Sequence, residues 1–84
     1  MSKREKLLAK AKNSPKNISF QELEALAEAY DLPLKPGGSH YVQRLPDGRK
    51  NTIKREGDKV KKWYVQDVVE AIEMFSHTEE EPNE

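Results

Sequence analysis

Apolar residues recur along this chain with two different periods, and the periods assign its elements. Phe20, Leu23, Leu26, Ala27 and Tyr30 are spaced three and four apart, the pattern of one buried helical face, while Gln21, Glu22, Glu24 and Glu28 face water. Ser19 followed by Glu22 makes a capping box at the start of that helix, and Ile18 with Leu23 occupies the positions of a hydrophobic staple. The helix is expected to end near Tyr30 and Asp31, because Pro33 follows. A second stripe of Val65, Val68, Val69, Ile72 and Phe75 predicts a helix of about three turns, opened by Trp63 and Tyr64. A weaker stripe of Leu7, Leu8 and Ala11 predicts a short basic helix over Lys3 to Lys12, too narrow in its apolar face to be held firmly. The run Asn13-Ser14-Pro15-Lys16-Asn17 breaks it.

Between the helices the period changes to two. Leu32-Pro33-Leu34-Lys35 reads as a short strand with Pro33 at an edge or a strand start, Pro36-Gly37-Gly38-Ser39 as a turn, and His40 to Leu45 as a second strand. Asp47-Gly48 predicts a two-residue type I′ hairpin loop, which sets Pro46 against Arg49, Arg44 against Asn51, Val42 against Ile53 and His40 against Arg55. The Val42 and Ile53 pair is then expected to face the helices, drawing His40 and Arg44 nominally to the same side. A buried, unpartnered Arg44 is costly, so the alternative with Tyr41 and Leu45 inward stays open. Arg55 to Lys62 reads as a polar loop around Gly57, and from His77 onward the chain has no apolar residue and is expected to be a disordered acidic tail. The expected fold is α+β in two layers: a small three-stranded antiparallel sheet flanked by two helices, plus an N-terminal basic helical extension. Residues 1–17 form that extension, 18–76 the domain and 77–84 the tail.

A chain of 84 residues allows one domain, burying roughly 60% of its unfolded surface. The absence of cysteine excludes a disulfide framework and a thiolate metal site, and points to a reducing cytoplasm. No run approaches the ~20 apolar residues that span a bilayer, so a soluble, intracellular protein is expected, with no membrane partner. The net charge of zero hides blocks of alternating sign. Residues 1–16 carry six bases and one acid, 17–31 four acids, 32–64 nine bases and three acids, and 65–84 seven acids. The bases of the central block, Lys35, Arg44, Arg49, Lys50, Lys54, Arg55, Lys59, Lys61 and Lys62, can supply several phosphate contacts if they share a face; a solvated polar surface accounts for the same composition.

Candidate chemistry centres on Gly37-Gly38-Ser39-His40. A histidine with a reference pKa of ~6.5 can take and return a proton at neutral pH, and the glycines admit a ligand's close approach. A structural or solvated histidine is the plainer reading. Trp63, Tyr64 and Tyr41 can stack on bases or pack into the core. Metal binding has little support, since the two histidines lie 37 positions apart and no cysteine is present. No nucleotide-binding phosphate loop is present either, because Gly37-Gly38 precedes a strand rather than a helix.

The run Ser14-Pro15-Lys16-Asn17-Ile18-Ser19-Phe20, the helix to Tyr30, Gly38-Ser39-His40-Tyr41-Val42, Pro46-Asp47-Gly48-Arg49 and the closing Tyr64-Val65-Gln66-Asp67-Val68 together resemble the HicA family of type II toxins. The resemblance covers about residues 14 to 75 and implies a fold like a double-stranded RNA-binding domain. It also implies a ribonuclease that cuts messenger RNA without the ribosome, and a HicB antitoxin as partner. The family's essential histidine, in a Gly-Ser-His motif, matches Gly38-Ser39-His40. On this reading His40 is the catalytic residue of an endoribonuclease that needs no cofactor or metal and leaves DNA uncut. Lys35, Gly38, Ser39, Arg44, Lys54 and Arg55 contact RNA, and positive charge from Arg44, Lys54 or Arg55 stabilises the transition state. A binding module that holds RNA without cutting it, and a protein-interaction domain, are the alternatives.

Overall fold

The computed structural model describes residues 2–76, so the expected disordered tail and His77 lie outside the described residues. The elements run α1 (Lys3–Asn13), a 3₁₀ turn (Pro15–Asn17), α2 (Phe20–Ala29), β1 (Leu34–Gly37), β2 (His40–Arg44), β3 (Lys50–Ile53), β4 (Arg55–Glu56), β5 (Lys59–Val60) and α3 (Lys62–Ser76). Strands β1, β2 and β3 form an antiparallel meander, and β4 and β5 a separate two-stranded ribbon. The expected α+β class is therefore present, with one sheet more than the sequence suggested.

Helix α2 forms where its caps dictate. The Glu22 N–H donates to Ser19 Oγ, and the Ser19 N–H to Glu22 Oε1, both at 3.0 Å. The two remaining free donors of the first turn, on Phe20 and Gln21, are satisfied by the Asp58 carbonyl and carboxylate at 2.8 and 3.3 Å. At the other end the Leu32 N–H reaches back to Ala27 O and the Asp31 N–H to Glu28 O, the bonds of a Schellman stop. Phe20, Leu23, Leu26 and Ala27 are buried, as are Val65, Val68, Val69, Ala71 and Ile72 of α3, and both stripes face one side of the meander.

The β2–β3 hairpin departs from expectation by one residue. Tyr41 pairs with Ile53, Val42 with Thr52, Gln43 with Asn51 and Arg44 with Lys50. Pro46 is the cause. A two-residue loop on Asp47-Gly48 would close on Pro46 and Arg49, and Pro46 has no N–H to give. Leu45 takes its place, donating to Arg49 O at 2.9 Å while the Gly48 N–H bonds Leu45 O at 3.0 Å. The loop is thus three residues long. Pro46 sits at the second position of a turn that favours it, and Gly48 alone takes a positive φ of 94°. The expected inward pair of Val42 and Ile53 is overturned in favour of the alternative: Gln43 and Ile53 are buried and Tyr41 and Leu45 half-buried. His40, Val42 and Arg44 point away from the helices, which removes the cost that a buried Arg44 would carry.

The strand expected over residues 32–35 begins at Leu34 and runs through Pro36 and Gly37, so the turn shrinks to Gly38-Ser39. Gly38 has φ of 71° and Ser39 an ordinary φ, the pattern of a type II′ turn. The expected polar loop around Gly57 is the β4–β5 ribbon, with Arg55 opposite Val60 and Glu56 opposite Lys59. Such short strands leave no periodic signal, and Asp58, bonded to the start of α2, holds the ribbon in place. Helix α1 is docked rather than loosely held. Ala11 is buried, Leu7 and Leu8 are half-buried, the Arg4 guanidinium lies over the Tyr30 ring at 4.7 Å, and Lys10 and Lys12 pair with Glu22 and Glu73.

One buried polar chain crosses the inner layer. Gln43, fully enclosed, donates to Leu32 O at 2.8 Å; its amide oxygen accepts from Asn51 Nδ2 at 3.0 Å, which also reaches Asp67 O at 3.3 Å. The chain ties the end of α2, two strands and α3 together, and it satisfies every polar atom of an amide that would otherwise be costly to bury.

Candidate nucleic-acid interface

Strand alternation and the observed register collect one set of side chains on the outer face of the meander. Lys35 lies beside Val42, Gly37 beside His40, Val42 beside Thr52 and Arg44 beside Lys50. Continuing the β2–β3 register one residue sets Lys54 opposite His40. The face thus carries Lys35, His40, Arg44, Lys50 and Lys54, and no acid occurs in any of its three strands. The four cations are exposed and have no carboxylate partner among the described residues.

His40 is half-buried at the head of β2. Its Nδ1 lies 3.1 Å from Ser39 Oγ, which leaves Nε2 free for a ligand. Service as a base at Nε2 requires the tautomer in which Nδ1–H donates to Ser39 Oγ, an orientation the hydroxyl accepts. The bare Gly37 across from His40 leaves the cross-strand position beside the imidazole uncovered; a Cβ there would meet Val42 Cγ2 at 3.1 Å.

The expected site residues separate in space. Gly38 and Ser39 form the turn before His40, Lys35 lies on β1 of the same face, and Lys54 stands one residue past the end of β3. Arg44 shares that face but stands four residues along the strand, about 13 Å away at ~3.3 Å per residue. That distance suits a neighbouring phosphate rather than the group His40 touches. Arg55 is not on this face. Its guanidinium lies over the Phe20 ring at 4.6 Å, reaches Tyr41 Oη at 3.4 Å and bonds Gly57 O at 2.6 Å, engaged by the fold. Arg49 is held by Asp47 at 2.6 Å, and the Arg49 backbone N–H, with its guanidinium, keeps the Asp47 carboxyl below its usual range.

Lys50, counted among the bases of the central block but not among the expected RNA contacts, is a member of this face. Its signal was the alternation Lys50, Thr52, Lys54 against Asn51 and Ile53, legible once the register is right. Of the aromatics, Tyr41 packs on Phe20 at 4.7 Å and Tyr64 is half-buried, whereas Trp63 is 51% exposed. Among the described residues no group of three or more metal-ligating side chains comes together, and no helix is long and apolar enough to cross a membrane. An open, acid-free basic face around a proton-transfer group can bind a polyanion and move a proton at it. Comparisons with protein-family models, with curated proteins and with solved structures each gave no match, so the reading of this face stands on its own chemistry.

Proposed function

We propose that this chain is a cytoplasmic endoribonuclease of the HicA type, the toxin of a type II toxin–antitoxin pair, acting on messenger RNA and neutralised by a HicB-like partner. The observation that carries the reading is the outer sheet face, where His40 stands among Lys35, Lys54, Arg44 and Lys50 with no carboxylate between them. Support for the reading also comes from the order α2, three-stranded meander, α3, although the β4–β5 ribbon is inserted before α3.

In this mechanism His40 Nε2 takes the proton of a ribose 2′-hydroxyl. The oxygen attacks the adjacent phosphorus, the bond to the 5′ oxygen breaks, and that oxygen is protonated by water. The products are a 2′,3′-cyclic phosphate and a 5′-hydroxyl, and DNA, which lacks the nucleophile, is spared. Lys54 neutralises charge developing on the phosphate, and Lys35, Arg44 and Lys50 hold its neighbours. Purified protein incubated with RNA in chelator is expected to yield cyclic-phosphate ends, and His40→Ala to yield none while melting like the parent. Equal cleavage by the variant would remove His40 from the mechanism. A lone imidazole with only Ser39 at its ring favours a second reading, an RNA-binding module without catalysis. RNA binding by both proteins with cleavage by neither would select it.

A further inference from the structure

We propose that the surface formed by the 3₁₀ turn, the β4–β5 ribbon and the start of α3 is a second RNA contact, in which Trp63 stacks on an unpaired base while Lys16, Lys59 and Lys61 hold the flanking phosphates. The proposal rests on the reading that this chain handles RNA, and narrows the ligand to single strands, whose bases are free to stack.

Three observations meet here. Trp63 leaves half of its surface in water in a fold that buries Phe20 and half-buries Tyr41 and Tyr64. Its indole lies 5.5 Å from the Lys61 ammonium, an aromatic face already beside a cation. Beside them an open recess of about 530 Å³ is lined by Lys16, Lys59 and Lys61 together with Glu56 and Asp58. Three lysines against two acids leave the recess one positive charge in excess. Asp58 Oδ1 accepts the Gln21 N–H at the start of α2, and Glu56 meets Lys61 only at 3.5 Å between half-exposed side chains, a contact of little worth that a phosphate can displace. Lys16 and Lys59 have no acid partner among the described residues.

Helix electrostatics do not favour this arrangement. Lys61 and Lys62 stand at the positive end of the α3 dipole, with no acid in its first turn, where cations are disfavoured. An exposed aromatic beside exposed lysines matches a ligand that offers π-faces and negative charge at regular intervals, as single-stranded nucleic acid does. In the chain the ribbon follows directly on Lys54, the last cation of the His40 face.

Trp63 is the chain's single tryptophan, so its fluorescence reports on this surface alone. With full-length His40→Ala protein, to prevent cutting, a single-stranded oligoadenylate is expected to quench that fluorescence. Inorganic polyphosphate of equal charge is expected to bind without quenching. By anisotropy of labelled RNA, Trp63→Ala is expected to weaken binding roughly 5- to 100-fold, the range for one stacked base. Lys59→Ala with Lys61→Ala, both at exposed positions, is expected to lower the salt slope by roughly 0.7 for each lysine lost. RNA that is cut by the parent yet neither quenches Trp63 nor loses affinity in these variants would overturn the platform and leave the nuclease reading standing; quenching without any cleavage would do the reverse. An acidic peptide that quenches where RNA does not would assign the surface to a protein partner and overturn the proposal.

Discussion

Asp31 is the one residue other than glycine with a positive φ among those described, at 63°, and it sits just past the end of α2, where the chain must turn left-handed. Aspartate tolerates that conformation better than most residues but still bears a steric cost, and its charge lies at the negative end of the helix dipole. Asp31→Gly is therefore expected to raise stability by about 0.5–1 kcal/mol, read as a higher urea midpoint with an unchanged slope. A lower midpoint would mean that the carboxylate makes a contribution of its own. At the same scale, Pro46 shows how one missing N–H outweighs a strong local signal. Asp47-Gly48 is the preferred dipeptide of a two-residue loop, yet the residue before it cannot complete the closing bond pair, and the whole register moves by one.

Between elements, helix α1 joins the α2 capping box. Glu22 Oε1 accepts the Ser19 N–H at 3.0 Å, and its Oε2 accepts from Lys10 Nζ of α1 at 2.8 Å. The Lys10 ammonium, with the Ser19 N–H behind it, holds the Glu22 carboxyl below its usual range. A lowered folded-state pKa contributes stability above the unfolded pKa and loses it as pH falls through the folded value. Unfolding free energy measured from pH 6 downward is thus expected to fall more steeply in the parent than in Glu22→Gln, which lacks the titration. Parallel slopes would show that the box does not respond to acid. Asp67 on α3 has the opposite sign. Burial, then the nearby Glu70 charge, raises its carboxyl, so its ionisation weakens the fold as pH rises through that range.

For the whole molecule, helices α2 and α3 cover one face of the meander and leave the other to water, and the basic face is that uncovered side. Helix α1 belongs to this packing rather than to the basic face. It buries Ala11 and half-buries Leu7 and Leu8 against α2 and α3, and Arg4 Nη1 donates to Ala29 O at the end of α2. Deleting residues 2–13 is expected to cost about 2–4 kcal/mol from the apolar area uncovered and to lower the melting temperature accordingly. An unaltered melt combined with weakened RNA binding would make the segment a ligand arm instead.

The sequence alone determined α2, α3, the capping box, the break at Pro15 and the α+β class, because caps and helical stripes act within a few residues of one another. It located His40 after a glycine turn and the basic central block for the same reason. Only the tertiary structure decided which side of the sheet that block faces, since the answer depended on a register set by Pro46 and on which face the helices cover. It alone formed the β4–β5 ribbon, held through Asp58 to residues 37 positions away, and committed Arg55 to Phe20 and Tyr41 while leaving Lys50 and Trp63 in the open. Long-range hydrogen bonds and packing assign such residues their roles, and no local pattern carries that information.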